Sequence, residues 1–286
     1  MDNDKRYNKE LEYIKALDDQ KGYKLILEIV SFLKDNNLSL GYTCGTTSSS
    51  YINYKLGLSN INPLDYDLIF ERNTATIPFW GILLDKLSCQ KLFEFYKEKK
   101  ITNKQLENLN INIAYDKRLD SIINHKRFTY KQLSSMASKL PNDFEYYSIN
   151  NFNEYIDHTA FKTHPSIKEF WFHQLNRNGY DRLRNNYKFM NTNNTFGLIV
   201  YQEEWMALIK QLTGLSYNET YTLMKSVAKK QNIENFITLL NKHIKAKKED
   251  KMFLINLLID SSVWVVCKAH IVSEAYINLL SSSNEK

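Results

Sequence analysis

Apolar residues in the N-terminal stretch recur at the three-and-four spacing of a helix that buries one face: Leu11, Ile14 and Leu17, then, beyond Gly22, Leu25, Ile26, Ile29, Val30 and Leu33. The pattern predicts two helices hinged near Lys21 and Gly22. It changes at 38–50, where a short apolar piece at 38–40 runs into Gly-Tyr-Thr-Cys-Gly-Thr-Thr-Ser-Ser-Ser, and helical spacing returns at 51–58. A strand, a loop and a helix N-terminus are expected there. An Asn-Pro turn lies within 60–67 and a mixed pattern fills 70–84, while helical segments are predicted at 91–99, 104–109, 116–124, 131–140 and 167–174. The polar stretch 185–195 reads as a mobile connection. Helices resume at 203–212, 216–229, 233–243 and 252–280, with the charge run 242–251 as a solvated helix end. A soft boundary in 140–150 divides the chain into 1–145 and 146–286.

Composition narrows this picture. The 286 residues include 15 Phe, 19 Tyr and 4 Trp, which excludes wholesale disorder, and only 8 Gly and 4 Pro, too few turn-formers for a many-stranded sandwich or barrel. The fold class is therefore α+β and mostly helical, with a small sheet. An excess of 38 Lys+Arg over 32 Asp+Glu, +6, permits a polyanionic partner without requiring one. Cys44, Cys89 and Cys267 form no C-x-x-C pair, which argues against a disulfide framework or thiolate zinc site and fits a reducing cytoplasm. A charged start and an apolar run at 252–267 broken by Asp260, Ser261 and Ser262 lead to the expectation of no signal peptide and no membrane span. His125, His158, His164, His173 and His243 show no metal-ligand spacing, and no nucleophile motif of the G-x-S-x-G kind is present. Trp80, Trp171, Trp205 and Trp264 sit among apolar neighbours and are expected in the core.

The stretch 41–72 is more specific than its glycines alone. It reads GYTCGTTSSSYINYKLGLSNINPLDYDLIFER, with Tyr54, Asn62, Pro63, Leu64, Tyr66, Leu68 and Phe70-Glu71-Arg72 in a fixed, ungapped spacing. It resembles the bacterial DNA polymerase III alpha subunit, the C-family replicative polymerase, whose palm carries G-x-G-R-G-S-x-x-G-S, a helix ending V-A-Y, and D-P-L-x-Y-x-L-L-F-E-R. Further segments follow in the family's order. Tyr130, Met136, Ala137, Leu140 and Pro141 are similar to P-Y-x-x-V-D-x-I-A-K-L-I-P, and 152–165 weakly resembles the stretch ending R-P-G-P. The run FGLIVYQEEWM at 196–206 is similar to Y-G-I-I-x-Y-Q-E-Q-V-M, 212–230 to L-x-G-Y-x-x-x-x-A-D-x-L-R-R-A-M-G-K-K, and Lys268-Ala269-His270 with Val272 to N-K-A-H-x-V-A-Y.

The resemblance implies a nucleotidyltransferase-like palm remnant in 1–145 and a helical fingers-like region in 146–286. Phosphoryl transfer in such a palm needs carboxylates that hold two divalent metals. The family takes two of them from a P-D-x-D strand; here the corresponding stretch reads Ile77-Pro78-Phe79-Trp80, so Phe79 and Gly81 stand at the aspartate positions and neither binds a metal. The family's third aspartate has no counterpart between Pro141 and Phe152. Asp65-Tyr66-Asp67 has D-x-D spacing but falls where the family has a structural turn, so its reading is capping and surface chemistry rather than metal ligation.

The expectation is thus no catalytic residue and no cofactor, with DNA or replication proteins as partners and no membrane. Gly45, Thr46, Ser49 and Ser50 offer amides and hydroxyls at a helix N-terminus, suited to a phosphate or simply to starting the helix. Lys225, Lys229, Lys230, Lys268 and His270 stand at the family's basic fingers positions, as phosphate contacts or as solvated side chains. The expected function is a catalytically silent, polymerase III alpha-like protein that binds primer-template DNA or replication proteins, of a size suiting a phage or mobile element. The alternatives are a minimal nucleotidyltransferase, dependent on Mg²⁺, with relocated or partner-supplied acids, or a structural docking subunit. The oligomeric state is left open.

Overall fold

Two helices open the chain in the computed structural model, which describes residues 3–16, 20–38, 42–43, 45–71, 79–122, 128–139, 149–164 and 199–283. Helix α1 (Asn3–Lys15) buries Arg6, Glu10 and Ile14, so its inner stripe is largely charged, whereas α2 (Lys21–Asp35) buries Ile26, Ile29, Val30 and Leu33. The apolar stripe of α2 is the one its spacing predicts.

The sheet has three strands. Its centre is β2 (Trp80–Leu84), buried along most of its length as a strand flanked on both edges should be. On one side β1 (Tyr42–Thr43) runs antiparallel, Tyr42 opposite Leu83; on the other β3 (Ile111–Tyr115) runs parallel, Trp80 opposite Ile111 and Leu84 opposite Tyr115. The parallel pairing requires a crossover, supplied by α4 (Lys86–Lys99) and α5 (Asn103–Asn108). Between β1 and β2 lie a 3₁₀ turn at Gly45–Ser49, α3 (Tyr51–Leu56) and a second 3₁₀ turn at Pro63–Tyr66. Helix α3 starts at Ser50, whose side chain accepts the amide of Asn53, and stops at Gly57 with φ 85°, a left-handed cap that favours glycine. Ile26, Ile29 and Leu33 pack with Trp80, Ile82, Leu84, Leu92 and Phe95 into one core, and the rings of Phe32 and Phe95 stack 4.4 Å apart. After β3 come a 3₁₀ turn at Lys117–Ser121 and α6 (Tyr130–Ala137).

The chain divides into two units, 1–155 with 272–286, and 156–271. The division falls inside α7 (Phe152–Thr163) and α12 (Lys268–Ser283). Positions 145 and 146, the boundary expected from the sequence, lie outside the described residues, as do the predicted helix at 167–174 and the polar stretch 185–195. In the first unit the C-terminal part of α12 ties down several loops. Ser273 and Ser48 share a hydroxyl hydrogen bond at 2.5 Å, the Phe128 amide donates to Tyr276 Oη at 3.1 Å, and Arg118 donates to Glu274 and Asn278 at 2.6 and 2.7 Å.

The second unit is helical: α8 (Gln202–Thr213), α9 (Tyr217–Ala228), α10 (Ile233–His243), α11 (Lys248–Ser261) and the first turn of α12. Gly214, at φ 78°, ends α8, and a Ser216–Glu219 capping box starts α9. Trp205 is fully buried, its ring stacked on Phe236 and its indole N–H donating to Leu258 O at 2.9 Å. Among the described residues no helix is long and apolar enough to cross a membrane.

Two expectations change, and one strand adds to the pattern. Of the helix expected at 116–124, the described part, 116–122, holds a single 3₁₀ turn at Lys117–Ser121, because Asp116 accepts the Arg118 amide and guanidinium and so holds the chain in a tight local turn. Strand β3 follows directly on the predicted helix at 104–109. The helix expected over 252–280 breaks at 262–267, where Val266 forms a parallel bridge with Tyr201.

Candidate functional site

The loop that the sequence marks for phosphate binding folds against the strand at Phe79 and Gly81, where the resemblance led to the expectation of acids. Thr47 joins them: its hydroxyl donates to Phe79 O at 2.9 Å and accepts the Gly81 amide at 2.7 Å. Phe79 and Gly81, far from the loop in sequence, are therefore its direct neighbours, and no carboxylate stands at either position.

The N-terminus of α3 is already filled. Glu10, fully buried, accepts the Tyr51 amide at 2.9 Å, the Ile52 amide at 3.1 Å and the Ser50 hydroxyl at 2.7 Å. Its charge is met by the buried Arg6 guanidinium one helical turn away, which also donates to Ser49 O at 2.7 Å and Leu68 O at 3.2 Å. Ser49 donates its hydroxyl to Thr46 O at 2.6 Å, and Ser48 is committed to Ser273. Gly45, Ser49 and Ser50 are buried, and Thr46 is half-buried. Asn53 gives its amide nitrogen to Thr47 O at 3.1 Å, while its buried carbonyl oxygen has no hydrogen-bond partner.

Other acids near the strand have structural partners. Asp65 accepts from Asn62 at 2.9 Å in the Pro63–Tyr66 turn, and burial raises its pKa against that hydrogen bond. Asp67 caps the same turn with φ 53°. Asp85 is the N-cap of α4, accepting the amide and hydroxyl of Ser88 at 2.9 and 2.7 Å. Glu71 pairs with Lys9. Among the described residues no three His, Cys, Asp or Glu side chains gather closely enough to hold a metal ion, and the Glu10 carboxylate beside the loop is spent accepting amides and a guanidinium. Cys89 is half-buried, its thiol pushed up to about 11 by burial and by the charges of Asp85 and Asp120.

In the second unit the Tyr-Gln-Glu-Glu and Lys-Ala-His runs meet. Val266 donates its amide to Val200 O at 3.0 Å and accepts the Gln202 amide at 2.8 Å, so α8 and α12 start side by side. Glu203, buried, accepts the Lys268 amide at 2.8 Å and the Ala269 amide at 3.4 Å at the start of α12. Glu204 accepts the amides of Val200 and Tyr201 at 2.9 and 3.0 Å. Desolvation pushes its carboxyl up to about 7, against the pull of Lys268. The Lys268 ammonium lies 5.5 Å over the Tyr201 ring, whose hydroxyl donates to Asp157. His270 is exposed on the same first turn.

Lys225, Lys229 and Lys230 are exposed together at the C-terminal end of α9, where the helix dipole favours cations, and Met224 beside them is in the core. Helix α9 packs against α8 after the turn at Gly214.

Comparison with known proteins adds the decisive pattern. The family model for the bacterial DNA polymerase III alpha NTPase domain matches residues 2–75, and that for the bacterial DNA polymerase III alpha subunit finger domain matches 180–251. The chain is DNA polymerase III alpha-like. The alpha subunit of Vibrio cholerae is 32% identical over 69 residues, 24% of this chain and 6% of that protein. That of Staphylococcus epidermidis strain RP62A is 26% identical over 105 residues, 34% of this chain and 10% of that protein, and that of Escherichia coli K12 is 30% identical over 69 residues, 24% and 6% respectively. The matches thus span a tenth or less of these relatives' length. In this polymerase III alpha-like chain the first matched stretch ends at 75, just before Phe79 and Gly81, and the second contains Lys225, Lys229 and Lys230.

Two residues escaped the sequence reading. Glu10 acts across forty positions, and its only signal is an acid on the buried stripe of an amphipathic helix. Trp264, expected in the core with the other tryptophans, is 38% exposed. The turn at 262–267 carries it out because its neighbours Val265 and Val266 are drawn into the contacts with Val200 and Gln202.

Proposed function

We propose that this polymerase III alpha-like chain is catalytically silent and acts in the cytoplasm by binding primer-template DNA. The observation that carries the reading is the Thr47 contact. The two backbone positions it grips, Phe79 and Gly81, are those at which the resemblance calls for metal-binding aspartates, and neither side chain is a ligand. With Glu10 seated on the N-terminus of α3, the loop 45–50 acts as a scaffold for the strand rather than as a cradle for a triphosphate. The binding chemistry that remains is cationic and lies in the second unit, at Lys225, Lys229, Lys230, Lys268 and His270. Such contacts neutralise phosphates without reading bases. Replication proteins are the alternative partner if nucleic acid does not bind.

The test is primer extension. Purified chain with primer-template, the four deoxynucleoside triphosphates and Mg²⁺ or Mn²⁺ is expected to leave the primer unextended. Template-directed extension that disappears on replacing Asp65, Asp67 or Asp85 would overturn the reading in favour of relocated acids.

A further inference from the structure

Helix α10 separates two groups of lysines whose ammonium groups the fold does not use. Lys229 and Lys230 are exposed just before its first turn. Lys242 is exposed in its last turn, and Lys245, Lys247 and Lys248 follow, all exposed, in the turn into α11 and at its start. Among the described residues none of these six has an ion-pair partner, whereas Lys9 and Lys91 each do. Between 229 and 251 the chain carries seven lysines against three acids, Glu234, Glu249 and Asp250, so the potential there is positive. Two of the lysines also stand against the preferences of the backbone. Lys230 holds φ 57° just beyond the C-cap of α9, in a turn closed by the Gln231 amide donating to Ser226 O at 2.9 Å, a place that favours glycine. Lys247 is the N-cap of α11, where its side chain accepts no amide and the helix dipole disfavours a cation. Lysine at both positions costs the fold stability, which points to a use outside it.

The helix between the two groups indicates the partner. With Phe236 and Leu240 buried, α10 turns Asn235, Thr238 and Asn241 to solvent, and none of its apolar side chains is exposed. A protein partner needs an aromatic or aliphatic anchor, and a membrane surface needs an apolar face. Amides and a hydroxyl set between cations suit phosphate oxygens instead. We propose that α10 lies along a nucleic-acid backbone, with the lysines before it holding one stretch of phosphates and those at the α10–α11 turn holding a second. The 11 residues of α10 separate the groups by about 16 Å at a rise of about 1.5 Å per residue. One strand of a duplex presents a charge every ~3.4 Å of axis, so the two groups would reach phosphates about five nucleotides apart. The proposal rests on the nucleic-acid reading above and adds to it the contact at Lys242, Lys245, Lys247 and Lys248, in the charge run that the sequence marks only as a solvated helix end.

The experiment titrates the full chain against a labelled duplex two helical turns long, by anisotropy over a range of salt. Lys242→Ala, Lys245→Ala and Lys248→Ala together should weaken binding and flatten the log-log salt slope by about 0.9 for each phosphate lost, up to about 2.7. Lys229→Ala with Lys230→Ala should flatten it by up to about 1.8, and the two sets combined should add. Removing three exposed lysines of the first unit, Lys24, Lys55 and Lys104, should leave the slope unchanged. Lys230→Gly and Lys247→Ser separate use from structure: each should raise the thermal midpoint by about 1–4 °C. Each should also weaken duplex binding and flatten the slope by about 0.9. A slope unchanged in the 242, 245 and 248 variant, while the 229 and 230 variant loses affinity, overturns the second contact and leaves DNA binding standing. Equal losses from the first-unit variant overturn it too, because net charge alone would then be the cause. Midpoints raised at Lys230 and Lys247 with affinity untouched overturn their use for phosphate. A wild-type chain that binds poly-glutamate but no duplex at low salt, or neither, overturns this proposal and the nucleic-acid reading together.

Discussion

Two helix N-termini in this chain are capped by buried glutamates from elsewhere in the sequence, and the surroundings of the two caps differ. At α3, Glu10 is neutralised by Arg6, and the serine hydroxyls and backbone around it are bonded to one another inside the protein. At α12, Glu203 holds two amides in the same way, but His270 on that first turn and Val263 and Trp264 in the segment leading into it are exposed. The first corner is finished as structure, while the second keeps a surface. Resemblance to a polymerase gives equal weight to both, and the burial of their polar groups separates them.

The comparison breaks most severely at Glu10. Replacing it with Ala leaves the Arg6 guanidinium buried without its carboxylate and uncaps α3, a loss of about 3–5 kcal/mol for a broken buried pair. Denaturant unfolding of Glu10→Ala should show a loss of that size. A change below about 1 kcal/mol would mean that water or an anion takes the place of the carboxylate, and the corner would then be an open site after all. The same measurement on Thr47→Val probes the joint between loop and strand. The methyl group fills the space of the hydroxyl but satisfies neither Phe79 O nor the Gly81 amide, so a loss of about 1–3 kcal/mol is expected.

Much of this arrangement was legible from the chain. The apolar spacing of α2, the Ser50 cap and the Asn-Pro turn are local signals, and local physics produces them. What was not legible depends on distant partners. Strand β3 has only five residues, Ile-Asn-Ile-Ala-Tyr, too brief a period-two signal to stand out beside α5, and it is fixed by pairing with β2. The break at 262–267 interrupts an apolar run because Val266 finds backbone partners at Val200 and Gln202. Phe79 and Gly81 were readable as letters, but that Thr47 grips their backbone was not. Likewise a tryptophan in an apolar run looks the same whether it points inward or, like Trp264, outward.

The smallest effect sharpens the second corner. Glu204 stands where the family motif has Gln, and desolvation, with the Asp157 charge, raises its carboxyl from 4.5 to about 7 although Lys268 and two amides pull the other way. In the unfolded chain the group ionises near 4.5, so between about pH 4.5 and 7 the folded protein holds a proton that the unfolded one has released. Stability must therefore fall as pH rises through that window and level off above it. One unit of separation is worth about 1.4 kcal/mol, which sets the order of the loss across the window. Glu204→Gln keeps an acceptor for the Val200 and Tyr201 amides without the charge. Its unfolding free energy should be flat over the same range, exceeding the wild type at pH 8 and matching it near pH 4. A wild-type profile that rises across this window would show that Lys268, rather than desolvation, governs the carboxyl, and the start of α8 would then present an ionised acid beside the residues assigned here to phosphate.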